Sequence, residues 1–206
     1  MPKNKNDVDE AIGPVLDGLD TPKNPEPSHE PEPESKPEPE EIEIVEHPVV
    51  LLCGHGLVVD ELGKLAETCG FILEFALLQD EPAPPYATEE QIFRLDDYDN
   101  FASDCMVDRN YFVCIFCAEI DDCVAILRQC LESDASYLGL YADENEKSEI
   151  YAKLREAGAP DAELAAIGCP IGLNIGARTP EQLAVGVIAQ ILATSNGTTK
   201  RLTWDN

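Results

Sequence analysis

The sequence predicts a doubly wound α/β domain, a mostly parallel sheet with helices on both faces, behind an acidic Pro/Glu-rich tail. Three observations lead there. Short, wholly apolar runs recur, as strands covered on both faces require. Amphipathic segments at helical spacing alternate with them, which is the βαβ pattern of a parallel sheet. The first run opens onto a glycine turn and then a helix, the start of a nucleotide-binding unit.

Residues 1–45 are of a different composition. Pro25-Glu-Pro-Ser-His-Glu-Pro-Glu-Pro-Glu-Ser-Lys-Pro-Glu-Pro-Glu-Glu41 alternates proline with acid and holds no aromatic or branched apolar residue. Such a segment buries too little surface to offset its ordering entropy, so a disordered, extended tail is expected. Ala11-Ile-Gly-Pro-Val-Leu16 could dock on a partner, or be part of a plain leader. The folded domain is expected over residues 46–195, with a C-terminal tail at 196–206.

Val49-Val-Leu-Leu-Cys53 reads as the first buried strand, and Gly54-His-Gly56 as the turn after it. Val58, Leu62, Leu65, Ala66 and Cys69 then give a helix that Gly70 ends. Phe71–Leu78 is the second strand and Ile92–Leu95 a short third, inside an otherwise loop-like acidic stretch from Asp80 to Asn110. Tyr111–Cys117 is the next strand, followed by a helix containing Val124, Leu127, Cys130 and Leu131. The strand Tyr137–Tyr141 precedes a helix over 143–157, with Ile150 and Leu154 inward and Gly158 at its C-cap.

The last helix carries the clearest start signal. Thr179 stands at the N-cap, Pro180 at the first helical position and Gln182 where a capping box places its amide. Leu183, Val187, Ile188, Ile191 and Leu192 form its buried face. Ahead of it, Gly172 and Gly176 punctuate a loop. Such a loop either aims free N–H groups and the positive helix end at an anion, or is an ordinary connection packed on a sheet.

Charge and cysteine usage narrow the function classes. Fourteen Lys+Arg face 41 Asp+Glu, for a formal net charge of −27. The tail holds 13 of the acids and four lysines, leaving −18 on the remainder. A surface this acidic repels nucleic-acid phosphates and anionic lipid, so binding to nucleic acid or membrane is not expected. No signal peptide opens the chain and no apolar run reaches the length of a membrane helix. The eight cysteines are therefore expected as mostly buried thiols in a reducing cytoplasm.

Among single residues, Cys114 and Cys117 have metal or redox spacing but sit within an apolar strand, where residues three apart face opposite ways. Cys123 and Cys130 read as core or near-core. His55 lacks a paired nucleophile or further nitrogen ligands, which leaves a passive ligand contact. No catalytic residue and no metal site are assigned. Arg178, one of ten basic residues outside the tail against 28 acids, has two open roles: a guanidinium fork for a ligand phosphate, or an ion pair with a neighbouring carboxylate. The dinucleotide fingerprint is incomplete, with Val59 at the third glycine position and no acid at the end of the second strand. NAD is therefore not the expected cofactor.

The stretch Pro170-Ile-Gly-Leu-Asn-Ile-Gly-Ala-Arg-Thr-Pro-Glu-Gln-Leu-Ala-Val185 resembles the signature that closes the C-terminal Rossmann-type domain of the XdhC/CoxI family, maturation factors of molybdenum hydroxylases. The likeness extends back to about Val49. It implies an accessory protein that binds molybdenum cofactor (molybdopterin, or its nucleotide form) for insertion into a molybdenum hydroxylase apoenzyme. The cofactor-binding positions would be Gly54, His55, Gly56, Gly172, Asn174, Gly176 and Arg178. The family typically has Asp at Asn174 and a histidine at Leu57. It also has a histidine-containing turn where this chain has Cys117-Ala-Glu-Ile-Asp-Asp122, and Gly-Ser-Arg-Arg-Lys where this chain has Ala142-Asp-Glu-Asn-Glu146. Replacing that basic cluster by acids should abolish anion binding there. The alternatives are a non-binding scaffold or dimer partner of the same family, and a nucleotide-dependent enzyme of another kind. A homodimer is the expected assembly.

Overall fold

The computed structural model describes residues 48–198. The tail, the docking segment at 11–16 and most of the C-terminal tail lie outside these residues.

Five strands form one sheet: β1 (Val49–Cys53), β2 (Ile72–Leu78), β3 (Ile92–Leu95), β4 (Tyr111–Ile115) and β5 (Tyr137–Leu140). Their order is β3-β2-β1-β4-β5, and every pairing is parallel. Among the described residues six α-helices accompany them: α1 (Leu57–Thr68), α2 (Phe101–Asp104), α3 (Ile120–Leu131), α4 (Glu144–Glu156), α5 (Asp161–Ala166) and α6 (Pro180–Ser195). The doubly wound expectation is met. The segment 80–110 is more structured than its prolines and acids suggested. It holds a 3-10 turn at Glu89–Gln91 and the four-residue α2, and α5 adds a helix too short for a periodic signal.

Alternation along the central strands sorts their apolar side chains onto two cores. Val49, Leu51, Cys53, Val113 and Ile115 face α2 to α5. Val50, Leu52, Phe112 and Cys114 face α1 and α6, which pack against each other. β1 and β4 are buried at all five positions, which is why neither shows polar alternation. β4 stops at Ile115, two residues short of the expected end at Cys117, although the Phe116 N–H still donates to the Cys53 carbonyl of β1 at 2.9 Å. Past α5 the chain returns beside β5: Gly168 bridges Gly139 in parallel, and the Ile171 N–H donates to the Leu140 carbonyl at 2.9 Å.

One carboxyl is out of place. Glu74, beside Leu51 in the β1–β2 ladder, has a buried Oε2 with no partner among the described residues. Burial raises its pKa, and a hydrogen bond with Tyr111 opposes that only in part. A carboxyl raised in the folded state contributes stability that is full below its unfolded pKa and is lost as pH rises through the folded one. Glu74→Gln should thus stabilise the domain by about 1 kcal/mol near pH 8. The gain should shrink toward zero near pH 4. Urea melts of both proteins at the two pH values measure the difference; a constant gap would refute the assignment.

Candidate functional site

In a sheet of this order, ligands bind beyond the carboxyl ends of the strands where the winding reverses, between β1 and β4. The Gly54–Gly56 turn stands there. Gly54 has φ +90°, and a Cβ on it would lie 2.9 Å from the carbonyl carbon and oxygen of Phe116. The turn and the end of β4 therefore touch backbone to backbone, an approach only glycine permits. Nothing stands within 4 Å of a Cβ built on Gly56, so the space in front of the turn is open. α1 begins at once, with Gly56 as N-cap and no side-chain capping bond. Its first N–H groups are left without a side-chain acceptor, the condition under which a helix start attracts an anion.

His55 is half-exposed, and its Nδ1 lies 3.2 Å from Oε1 of Glu81, a carboxylate whose side chain is only 15% exposed. The other oxygen of Glu81 accepts from the Leu78 N–H at 2.9 Å and stands 3.5 Å from the Tyr98 hydroxyl. Arg94 fastens the same corner by donating to the carbonyls of Leu78 and Glu81. Glu81 and Tyr98 were not legible as site residues. The end of β2 shows no acid, and Glu81 reaches it only because the turn at 78–81 folds back, closed by a bond from its own N–H to the Leu78 carbonyl at 3.1 Å. The carboxylate falls where a dinucleotide fold keeps its ribose acid, but its oxygens are held by His55 and a main-chain N–H. Asp122 lies near enough to respond. Burial first, then Glu119, Glu81 and Asp121, raise its pKa. The mouth is thus ringed by carboxylates, with His55 the basic group at the turn.

The loop from Gly172 to Arg178 is built differently. Four of its N–H groups, those of Gly172, Leu173, Gly176 and Arg178, are taken by its own segment and by α6. Gly172 donates to Gln190 Oε1 at 2.7 Å, Leu173 to the Gly186 carbonyl at 3.0 Å, and Gly176 to Asn174 Oδ1 at 3.2 Å. Thr179 caps α6 by accepting from the Gln182 N–H at 3.3 Å. The capping-box amide reaches one residue further than expected: Gln182 Oε1 accepts from Arg178 N rather than from the cap residue. The Thr179 hydroxyl bond also holds the Glu181 carboxyl below its ordinary range, assisted by Lys64 of α1. So the start of α6 lies along the flank of α1, while the Gly54–Gly56 turn lies at α1's own N-terminus. The seven expected residues therefore fall on two packed neighbours. Arg178 is exposed and makes no ion pair among the described residues.

The XdhC Rossmann domain family matches residues 50–191. The chain belongs to that family. The Escherichia coli K12 protein YqeB, described as uncharacterised, is 36% identical over 70 residues, which are 34% of this chain and 13% of that protein. A crystal structure of a xanthine dehydrogenase from Bacillus halodurans aligns with a TM-score of 0.56 at 21% identity, over 77% of this chain and 45% of that one. That likeness speaks for the fold. The chain spans less than half the length of either protein.

Within this XdhC-type frame, the expectation for Ala142-Asp-Glu-Asn-Glu146 acquires a physical basis. Asp143 caps α4, accepting from the N–H groups of Asn145 and Glu146 through one oxygen at 2.8 and 2.9 Å, while Glu146 Oε2 accepts from the Asp143 N–H at 2.8 Å. The helix start is filled by the chain's own carboxylates. Cys114 and Cys117 face opposite cores as expected. No group of three or more His, Cys, Asp or Glu side chains is placed to hold a metal ion among the described residues. None of the described helices is long and apolar enough to cross a membrane.

Proposed function

We propose that this protein is an XdhC-type accessory factor that holds molybdenum cofactor, as molybdopterin or its nucleotide form, for a molybdenum hydroxylase apoenzyme. The observation that carries the reading is the uncapped start of α1 behind the Gly54–Gly56 turn, at the winding reversal between β1 and β4. A terminal phosphate fits there, against main-chain N–H groups that no side chain occupies. His55, anchored by Glu81, would flank it, and Arg178 would supply the fork for an outlying phosphate oxygen. The acidic mouth limits the charge that can enter: one phosphate agrees with the donors present better than a polyphosphate does. The reaction belongs to the partner enzyme, and this chain binds, orients and hands over.

A second reading is favoured by the self-capped α4 and the carboxylates around the crevice: a scaffold or dimer partner that binds no cofactor. Titration of the full chain with molybdopterin, CDP, GDP and NAD separates them. Saturable binding of the pterin, weakened roughly tenfold to a hundredfold by Arg178→Ala, supports the carrier. Binding unchanged in that variant removes Arg178 from the site. No binding by a folded protein leaves the scaffold, and tight NAD binding revives a nucleotide-dependent enzyme.

A further inference from the structure

Tyr141 is the one exposed Phe or Tyr among the described residues, at 51%. It stands level with the crevice. Cys53, Ile115 and Leu140 are register partners across β1, β4 and β5, so Gly54, Phe116 and Tyr141 follow at one height beyond the strand ends. Two main-chain bonds of 2.9 Å fasten that row: the Phe116 N–H donates to the Cys53 carbonyl, and the Tyr141 N–H to the Ile115 carbonyl. The Phe116 ring is buried in the core shared with α1 and α6. It backs the Tyr141 ring, with centroids 5.6 Å apart and planes at 30°. The pair therefore lies on the side of the sheet where α1 starts and the Gly172 loop runs. We propose that Tyr141 is the stacking face for the planar nitrogen heterocycle of a phosphorylated ligand, a pterin or a nucleobase, whose phosphate lies at the start of α1.

A ring suits this end of the sheet and a phosphate does not. Just past Tyr141, Asp143 and Glu146 fill the start of α4 with their own carboxylates, which repel an anion. An aromatic face needs no charge to attract a flat heterocycle, because stacking is carried by dispersion and the π-faces. At α1 the order is reversed, since its first N–H groups have no side-chain cap. The ligand is thus oriented with its phosphate at β1 and its ring at β5. These strand ends lie two spacings apart, about 10 Å, a length that a heterocycle joined to a phosphate through a sugar or pyran spans. The platform is also rigid. The Phe116 carbonyl abuts Gly54 so closely that a Cβ there would meet it at 2.9 Å, and a face held in place loses little freedom on binding. This role rests on the carrier reading and adds to it the group that recognises the heterocycle.

The test titrates the full chain with molybdopterin, GMP, CMP and ribose 5-phosphate, the last carrying a phosphate without a heterocycle. At least one ring-bearing probe should bind the wild type more tightly than ribose 5-phosphate does. Tyr141→Leu should weaken that probe roughly tenfold to a hundredfold and leave ribose 5-phosphate unchanged. Tyr141→Phe keeps the face and should bind like the wild type. In the wild type, the Tyr141 ring protons should move upfield on saturation with the same probe. That shift decides alone if the leucine variant does not fold, and its absence overturns the stacking role. Ring-bearing probes bound equally by the leucine variant and the wild type also overturn it, while the carrier reading stands. So does an equal loss for ribose 5-phosphate, which would place the effect on the phosphate side. A folded wild type that binds none of the four overturns both and leaves Tyr141 as a protein-contact surface.

Discussion

Gly54→Ala is expected to destabilise the domain by about 3 kcal/mol, through two effects that act together. At φ +90° an L side chain is strained by about 1–3 kcal/mol. The new methyl would also press to 2.9 Å on the carbonyl carbon and oxygen of Phe116. Those atoms end a central strand, and the Phe116 N–H is already bound to the Cys53 carbonyl at 2.9 Å. Relief therefore requires moving β4 against β1, whose ladder is complete on both sides. Stiffening of the unfolded chain returns about 0.4–1 kcal/mol and does not change the sign. The loss should appear as a melting temperature lower by roughly 10 °C. Gly56→Ala is the control, because nothing meets its Cβ within 4 Å. It should fold with a smaller loss and still obstruct a ligand approaching α1. Equal melting temperatures for Gly54→Ala and the wild type would mean that the backbone approach is not as described.

The contrast between these neighbouring glycines shows what was legible in the sequence. The strand–turn–helix reading of 49–70 needed only apolar runs and glycine spacing, because β1 is buried on both faces and α1 has one apolar stripe. The start of α6 was readable for the same local reason: a cap threonine, a following proline and a glutamine declare themselves within four residues. Which glycine touches β4 was not readable, since the atom it meets is Phe116, distant in sequence. Glu81 was hidden similarly. It lies in a Pro-rich turn and becomes a site residue only when that turn folds back under His55. Cys114 has the familiar spacing to Cys117, yet strand geometry sends it to the other core. The glycine loop before α6 carries a related lesson. Its composition suits an anion, but glycine spacing cannot tell which N–H groups are free, and here α6 and Asn174 take those of Gly172, Leu173, Gly176 and Arg178.

The residue that takes the first of them leads to the second large effect. Gln190 is a polar side chain in an apolar helix, next to buried Ile191. Its Oε1 accepts twice, from the Tyr137 hydroxyl at 2.8 Å and from the Gly172 N–H at 2.7 Å. One oxygen thus ties β5, the glycine loop and α6 together. Leucine at 190 keeps the approximate volume and removes both acceptors. Each orphaned donor costs about 1–3 kcal/mol where water cannot replace the bond. A cavity of about 390 Å³ lined by Tyr137 and Gln190 offers the tyrosine a water, so the main loss falls on Gly172. Its φ of +92°, and the Val187 atoms that would lie only 3.0 Å from a Cβ built on it, leave it little freedom to turn elsewhere. Gln190→Leu should therefore lower stability by about 2 kcal/mol and loosen the loop, read as faster amide exchange at Gly172 and Leu173. Gln190→Glu keeps an acceptor for both donors and should stay near the wild type at neutral pH. If the leucine variant melts like the glutamate one, the double hydrogen bond does not hold the loop, and Arg178 is positioned by its cap at Gln182 alone.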